Sequence, residues 1–288
     1  MMKNNRLSAK EWGERAALAL VFVIFGSLIY LVFSPLRPLL DGVGDYLGRI
    51  GLIAMLLVAV LLVNRSDRTK KYGQVLLGLL IMAIAVSLDW ILAVYLLEHL
   101  GINSNTPTGI ALIKLNEFFV VVSIVIPLTL LSGGTLGSIY IQKGNLKQGL
   151  FVGGAAFCLA AAGSTWMAGS LFKGQNLTLD RIVGWLPWVL IFVLANAAQE
   201  ELMFRGLFLR KLQPFFGKFL SNALVVFVFT LVHQGVNYTS NELSFLAIVT
   251  LLAFAWGYLT QKTDSIWGSI LFHAGMDIPV ILGIFSNL

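Results

Sequence analysis

The side chains best suited to chemistry in this sequence are a few ionisable residues inside long apolar stretches of the C-terminal third. They are Glu200, Glu201, Arg205, His233, His273 and Asp277. An ionisable group within the hydrocarbon of a membrane is costly, so each one placed there is a candidate functional residue. Carboxylates and imidazoles transfer protons and bind metal ions, and both properties serve hydrolysis.

The spacing of these residues sorts them by helix face. At about 100° per residue, Glu201 and Arg205 lie one turn apart on the same face. Arg205 is therefore expected to pair with Glu201 and to reduce the cost of burying both charges. Glu200 points elsewhere and has no cation on its own helix, which leaves it available as a general base. His273 and Asp277 are also four residues apart and face the same way.

Two chemistries remain open for this set of side chains. In the first, Glu200, His233 and His273 bind a divalent metal such as zinc and leave one position for water. In the second, no cofactor is required. Glu200 and a histidine then activate water directly, while the remaining side chains stabilise the oxyanion of an amide hydrolysis. The His-Glu-x-x-His helix of many zinc peptidases is absent from the sequence.

Membrane helices must position these residues. Hydrophobic residues make up 58% of the 288 residues and charged residues only 12%, about half the charged share of a typical soluble domain. With a mean hydropathy of +0.85, most of the surface is expected to face lipid. The sequence therefore predicts an all-α, polytopic transmembrane helical bundle of about 8–9 spans. The candidate helices are 16–34, 50–63, 73–97, 116–140, 148–172, 184–210, 219–234, 243–261 and 266–285.

The basic residues lie mostly in the connections on one side of these helices. With a cytoplasmic N-terminus, fourteen of the twenty Lys and Arg residues fall in cytoplasmic segments and five fall on the opposite side. This asymmetry predicts a multi-pass protein of the cell membrane with its N-terminus inside and, for nine spans, its C-terminus outside. We expect residues 1–15 to form a cytoplasmic segment and residues 16–288 a single transmembrane domain, with the catalytic part at 184–285.

Several other features are interpreted without a chemical role. The net charge of +6 does not indicate a nucleic-acid partner, because the basic residues sit between apolar runs. Cys158 is the single cysteine, forms no internal disulfide and is expected to be buried. The Gly-Val-Gly-Asp sequence at 42–45 matches an aspartyl protease motif but is expected in a polar loop. Asp89 is expected to bridge helices by a hydrogen bond, and Glu117 to reach water at a span boundary.

Three motifs in the C-terminal third together resemble those of a known family. Glu-Glu-x-x-x-Arg at 200–205, Phe-x-x-x-His at 229–233 and His-x-x-x-Asp at 273–277 occur in that order on three separate apolar helices. Over residues 184–285 the chain resembles the CPBP intramembrane proteases. This family, also called Abi, comprises type II CAAX prenyl endopeptidases and bacteriocin-processing and bacteriocin-immunity proteins.

The resemblance implies a role for each matched residue. Glu200 would activate water together with His233, with Glu201 and Arg205 in support, while His273 and the residue at 277 would hold the oxyanion. The family commonly has Asn or Asp at this last position. An ionised carboxylate would repel an oxyanion, so Asp277 must be protonated, orient His273 or help to bind a metal. The family has been described both as metalloproteases and as metal-independent glutamate proteases.

We therefore expect an intramembrane endopeptidase that hydrolyses a peptide bond in a membrane-associated substrate, either prenylated or bacteriocin-like. The expected partners are a membrane peptide or protein substrate and the lipid bilayer, and the site is expected to be approached from the cytoplasmic half. Two other classes remain open. One is a proton- or cation-coupled transporter that uses the same side chains as a relay. The other is a non-catalytic immunity or binding protein that keeps the site for structure or for recognition.

Overall fold

All regular structure in the described part of the chain is helical. The computed structural model describes residues 8–33 and 39–288, without the side chains of 93–98, so Lys3, Arg6 and Arg37 of the charge count lie outside it. The all-α prediction is confirmed. The helices are α1 (Ala9–Leu31), α2 (Gly42–Asn64), α3 (Gly73–His99), α4 (Pro107–Leu131), α5 (Leu146–Leu171), α6 (Leu179–Glu201), α7 (Arg210–Val232), α8 (Glu242–Thr263) and α9 (Trp267–Ser286), and a π-helical stretch (Leu202–Leu209) joins α6 to α7.

Eight continuous helical stretches of the described residues are long and apolar enough to cross a membrane. One of them, Leu179–Val232, is 54 residues long and contains α6, the π-helical stretch and α7. It is not one straight helix, because the ring centroids of Phe204 and Phe229 are 4.9 Å apart, whereas a straight helix would separate these residues by about 37 Å. The chain folds back at Gly217, whose φ of 69° and ψ of −179° suit only glycine. The predicted multi-pass bundle is confirmed.

The first helix begins earlier than predicted. α1 starts at Ala9 rather than at residue 16. Ser8 and Glu11 form a capping box, in which the Ser8 backbone N–H donates to Glu11 Oε2 at 2.8 Å. Such reciprocal caps stabilise a polar first turn that an apolar pattern does not reveal. Half of the segment expected at 1–15 is therefore helical, and residues 1–7 lie outside the described residues.

The second helix begins at Gly42 rather than at residue 50 because charged side chains pair inside it. Asp45 Oδ2 lies 2.8 Å from Arg49 Nε, one turn away, and both side chains are buried. Pairing lowers the cost of burying two opposite charges, so they need not stay in a loop. The Gly-Val-Gly-Asp sequence at 42–45 therefore begins a helix, and its predicted position in a polar loop is wrong.

The fourth helix also begins before its predicted start. Thr106 caps α4 by accepting a hydrogen bond from the Gly109 N–H, and Pro107 occupies the first helical position, where proline needs no amide partner. Lys114 and Glu117 form an ion pair within this helix. Glu117 consequently lies well inside α4, and its expected position at a span boundary is wrong.

The last helix, which carries His273, packs very closely on α5. A Cβ atom added to Gly153 would lie 2.2 Å from the carbonyl oxygen of Gly268, so this contact requires glycine. Small residues allow helix backbones to approach in this way within membranes. Cys158 is exposed on α5, away from this interface, and the prediction that it is buried is wrong.

One end of the bundle, which we call the basic end, gathers most of the positive charge. Arg210 Nη2 lies 2.6 Å from Asp264 Oδ1, and Lys71 Nζ lies 2.7 Å from Glu14 Oε2. The first contact joins the start of α7 to the end of α8, and the second joins the starts of α1 and α3. Glu14, Lys71 and Arg210 line one pocket, so both contacts lie at the same end. The described Lys and Arg residues at or near this end are Lys10, Arg15, Arg65, Arg68, Lys70, Lys71, Lys143, Lys147, Arg210, Lys211, Lys218 and Lys262.

The opposite end, which we call the distal end, consists of the connections 172–178 and 233–241 and the C-terminal residues 286–288. Lys173 Nζ donates to the Asn237 carbonyl at 2.7 Å, and the Gln175 N–H donates to Ser286 Oγ at 3.0 Å. Asn287 Nδ2 donates to the Lys173 carbonyl at 3.0 Å. Residue 9 and the C-terminus therefore lie at opposite ends of the bundle.

Candidate active site

One cavity inside the bundle brings most of the predicted site residues together. Its volume is about 390 Å³, and its lining, which includes side chains of α6, α7, α8 and α9, is mainly apolar. Four of the six predicted residues line it, namely Glu200, His233, His273 and Asp277. The other two, Glu201 and Arg205, are 0% exposed.

α6 presents its two adjacent glutamates to different surroundings. Asn196, Glu200 and Met203 are four and three residues apart, share one helical face and line the cavity. Glu201 lies on a neighbouring face, where its Oε1 is 2.9 Å from Arg205 Nη1. The predicted ion pair is confirmed, and Glu200 is the glutamate that a substrate in the cavity would meet.

Arg205 connects α6 to the helices that carry the other site residues. Its Nη2 donates to the carbonyl of Ala253 in α8 at 3.1 Å. The guanidinium carbon lies 4.4 Å from the ring centroid of Phe229 and 5.3 Å from that of Trp256. A charge-assisted hydrogen bond and aromatic faces both stabilise a cation away from water. Arg205 lies in the π-helical stretch, a distortion frequently found at functional sites.

His273 is fixed in orientation by contacts with α6 and α8. Its Nδ1 lies 3.0 Å from Glu201 Oε1. Because a carboxylate accepts and does not donate, Nδ1 carries the proton. The imidazole also stacks on Trp256, with centroids 3.9 Å apart and an interplanar angle of 12°. Nε2 is left facing the cavity, 3.6 Å from both Glu200 Oε2 and Asp277 Oδ1.

His233 stands at the C-terminal end of α7, beside the connection to α8. Its Nδ1 lies 2.8 Å from the Phe229 carbonyl oxygen, and since a carbonyl oxygen only accepts, Nδ1 is the donor. The neutral ring therefore has its lone pair on Nε2, which can accept a hydrogen bond from water. The fold-back at Gly217 is what returns α7 to the level of Glu200.

Several cavity residues were missed by the sequence analysis. Asn196 Nδ2 donates to Asp277 Oδ2 at 2.9 Å, and its place one turn before Glu200 could have indicated it. No feature of the sequence indicated Trp256, because α8 contains no predicted site residue from which its position could be judged. Lys114 and Glu117 also line the cavity, and were overlooked because their part of α4 was assigned to a loop or a span boundary.

Asp89, expected to bridge helices by a hydrogen bond, also lines this cavity. Its Oδ1 is buried and has no hydrogen-bond partner among the described residues. Glu200 Oε2 is also buried and has no hydrogen-bond partner among the described residues. The walls of the cavity thus carry four carboxyl groups, those of Asp89, Glu117, Glu200 and Asp277, and one lysine, Lys114.

The predicted metal ligands do not form a ready site. No group of three His, Cys, Asp or Glu side chains in the described part of the chain could hold a metal ion. The Nδ1 atoms of His273 and His233 are engaged by Glu201 and by the Phe229 carbonyl, which leaves Nε2 of each ring as the atom that could bind a metal. Glu200, His233 and His273 do not form a preassembled three-ligand centre in this structure, and the use of a metal stays a prediction.

Comparison with known proteins identifies the part of the chain that contains these motifs. Residues 182–279 match the family described as type II CAAX prenyl endopeptidase Rce1-like, which confirms the resemblance predicted from the three motifs. The match covers about a third of the chain and includes every predicted site residue. Neither a curated protein nor a solved structure matches the chain. The family supports a CAAX-type intramembrane endopeptidase in general, in a multi-pass membrane protein.

Proposed function

We propose that this chain, with its Rce1-like region at 182–279, is an intramembrane endopeptidase that hydrolyses a peptide bond with water activated by Glu200 and His233. The observation that carries the proposal is the cavity of about 390 Å³, in which Glu200, His233, His273 and Asp277 share one apolar space. A closed apolar surrounding strengthens hydrogen bonds and charge interactions with a reacting peptide.

In the proposed reaction, Glu200 takes a proton from a water molecule while His233 Nε2 holds the same water by accepting its other hydrogen. The water oxygen attacks the peptide carbonyl carbon, and the carbonyl oxygen becomes an oxyanion. His273 Nε2, when protonated, donates a hydrogen bond to this oxyanion. The proton on Glu200 then passes to the leaving nitrogen, the C–N bond breaks, and an acid and an amine are released.

The remaining polar residues act through His273. Glu201 accepts from Nδ1 at 3.0 Å and stabilises the protonated ring, and Arg205 holds Glu201. Asp277 lies 3.6 Å from Nε2 and is itself held by Asn196. We propose that Asp277 orients His273 rather than contacting the oxyanion, because a carboxylate would repel that charge.

The proposed substrate is a membrane-associated peptide or protein segment, and the apolar lining suits a hydrophobic or prenylated one. Purified protein would be incubated with a farnesylated Cys-a-a-X peptide and with its unprenylated counterpart. Faster cleavage of the farnesylated peptide is expected if the cavity also accommodates the lipid. Equal cleavage of both peptides would rule out prenyl recognition and leave the peptidase assignment intact.

The replacement Glu200→Gln tests the proposed base. It should abolish hydrolysis, since an amide is nearly isosteric but cannot take a proton from water. The matched control is Glu14→Gln, the same change at the basic end, which should hydrolyse at the rate of the parent. Full activity of the Glu200 variant would contradict the assignment. If the parent protein bound the peptide but did not hydrolyse it, this result would instead favour a non-catalytic binding protein.

Chelation distinguishes the reaction proposed above, in which Glu200 and His233 activate water directly, from the metal-dependent alternative. Activity of the purified protein should survive prolonged incubation with a chelator, and it should be lost in His233→Ala. Loss of activity on chelation, with recovery on adding zinc, would show that a metal takes part in the reaction. Ion flux in proteoliposomes that depends on Glu200 would favour the transporter class.

A further inference from the structure

The cavity lies in the half of the bundle nearer the distal end, and we call its lining nearest the basic end the floor and its lining at the distal connections the mouth. The floor includes Phe204, Trp256 in α8 and His273, six residues after the start of α9. The lining continues up to Phe172, Val236 and Tyr238, which belong to the connections at the distal end. None of the twelve Lys and Arg residues of the basic end lines this cavity.

The floor is closed by buried contacts between His273 and the basic end. Thr260 Oγ1 donates to Ser269 Oγ at 2.8 Å, and both residues are 0% exposed. On the other side of α9, Gly153 and Gly268 bring the backbones of α5 and α9 into direct contact. A peptide entering from the basic end would have to separate these packed helices.

The charges of the two ends indicate how the bundle lies in the membrane. Lys173 and Arg181 are the described basic residues near the distal end, against twelve at the basic end. Arg49 and Lys114, which also lie in that half, are held in ion pairs inside helices. Connections rich in Lys and Arg remain on the cytoplasmic side of a membrane. The basic end is therefore assigned to the cytoplasm and the distal end to the outside.

We propose that the cavity takes its substrate from the non-cytoplasmic side of the membrane. The substrates would be exported peptides, or external segments of membrane proteins. This inference rests on the peptidase function proposed above for its chemistry, and on the position of the cavity and the charge asymmetry for its direction. Access from this side is the opposite of the expected approach from the cytoplasmic half. With a cytoplasmic N-terminus, the mouth at the distal end faces the outside, so the two expectations cannot both hold.

The depth of the site sets a length requirement on such a substrate. His273 is 13 residues before Ser286 at the end of α9, which is about 20 Å along a helix. An extended chain covers this depth with about six residues at about 3.3 Å each. The scissile bond must therefore be followed or preceded by about six residues that can leave folded structure and enter the cavity.

Cysteine labelling tests the direction without any need for turnover. In a Cys158→Ala background, Val236→Cys places one thiol at the mouth, Asn237→Cys provides a second variant there, and Ser66→Cys places one at the basic end. Intact cells would be treated with a membrane-impermeant maleimide, and permeabilised cells would give the total. The mouth variants should be labelled equally before and after permeabilisation, and Ser66→Cys only afterwards. Labelling of the mouth variants only after permeabilisation would overturn the proposal.

Comparison of new protein N-termini tests the substrate class. Membranes from host cells with the parent protein would be compared with membranes from cells with Glu200→Gln. Termini that depend on Glu200 should lie in external segments or exported peptides, and termini in cytoplasmic segments would overturn the inference. If no terminus depends on Glu200 although labelling places the mouth outside, the proposed peptidase function fails while the access direction stands.

Discussion

Glu201 is the residue on which the geometry of the site depends most directly. Its Oε1 is 2.9 Å from Arg205 Nη1 and 3.0 Å from His273 Nδ1, so one carboxylate oxygen joins α6 to α9. The side chain is 0% exposed and cannot touch a substrate. It acts as a positioning residue, whereas Glu200, one position earlier, is the residue that faces the cavity.

Replacing Glu201 with Gln should therefore damage stability as well as activity. Arg205 would be left as a buried cation without an anionic partner, which costs about 3–5 kcal/mol in the free energy of unfolding. Glu200→Gln should change this free energy much less, because Glu200 Oε2 has no hydrogen-bond partner among the described residues. Unfolding monitored for both purified variants would test the contrast, and equal stability of the two would show that the ion pair does not have this role.

At the scale of helices, the α5–α9 contact sets the position of His273. Gly153 and Gly268 let the two backbones touch, and Gly275, two residues after His273, packs on Phe157 with a would-be Cβ 2.5 Å from its Cα. Interfaces of this kind tolerate no added methyl group without movement of a whole helix. The position of the proposed oxyanion donor thus depends on residues without any polar group.

A pair of neighbouring glycines in α5 makes this dependence testable. Gly153→Ala would place its Cβ 2.2 Å from the Gly268 carbonyl oxygen, and overpacking of this kind typically costs about 1–3 kcal/mol. We expect lower turnover and a lower melting temperature. Gly154→Ala is the control, since nothing lies within 4 Å of its added Cβ. If both variants behaved like the parent, close packing of α5 on α9 would not be what positions His273.

At the scale of the whole molecule, the bundle separates its charges from its cavity. The basic end carries twelve of the described Lys and Arg residues, while the cavity lies nearer the distal end, where the C-terminus is also found. Residue 9 lies at the basic end and the C-terminus at the distal end, and the charge asymmetry favours the cytoplasm for the basic end.

Reporter fusions should show this arrangement. A reporter that is active only outside the cytoplasm should function when fused after Leu288 and should be inactive when inserted next to Ser66. A reporter that is active only in the cytoplasm should give the opposite pattern. Activity of one reporter at both positions would mean that the chain crosses the membrane an even number of times between them, against the fold-back seen at Gly217.

The sequence alone determined that lipid surrounds most of the protein, that the fold is all-α and which residues are the principal candidates for the site. Composition fixes lipid as the surrounding medium, and the 3.6-residue period is local, so the pairing of Glu201 with Arg205 followed from spacing alone. The apolar pattern could not show that some helices begin at segments with charged residues. Asp45 and Lys114 are tolerated inside helices only because Arg49 and Glu117 neutralise them.

Only the tertiary structure decided which residues meet across helices and in which half of the bundle the cavity lies. The bond from Glu201 to His273 spans 72 positions of sequence, and the stacking of Trp256 on the same ring joins two helices whose spacing carries no signal. The mouth at the distal end likewise depends on how eight or more helices pack, since helix packing in lipid is set by side-chain shape rather than by a hydrophobic pattern. For that physical reason the candidate residues could be named from the sequence, whereas the position of the cavity that they line could not.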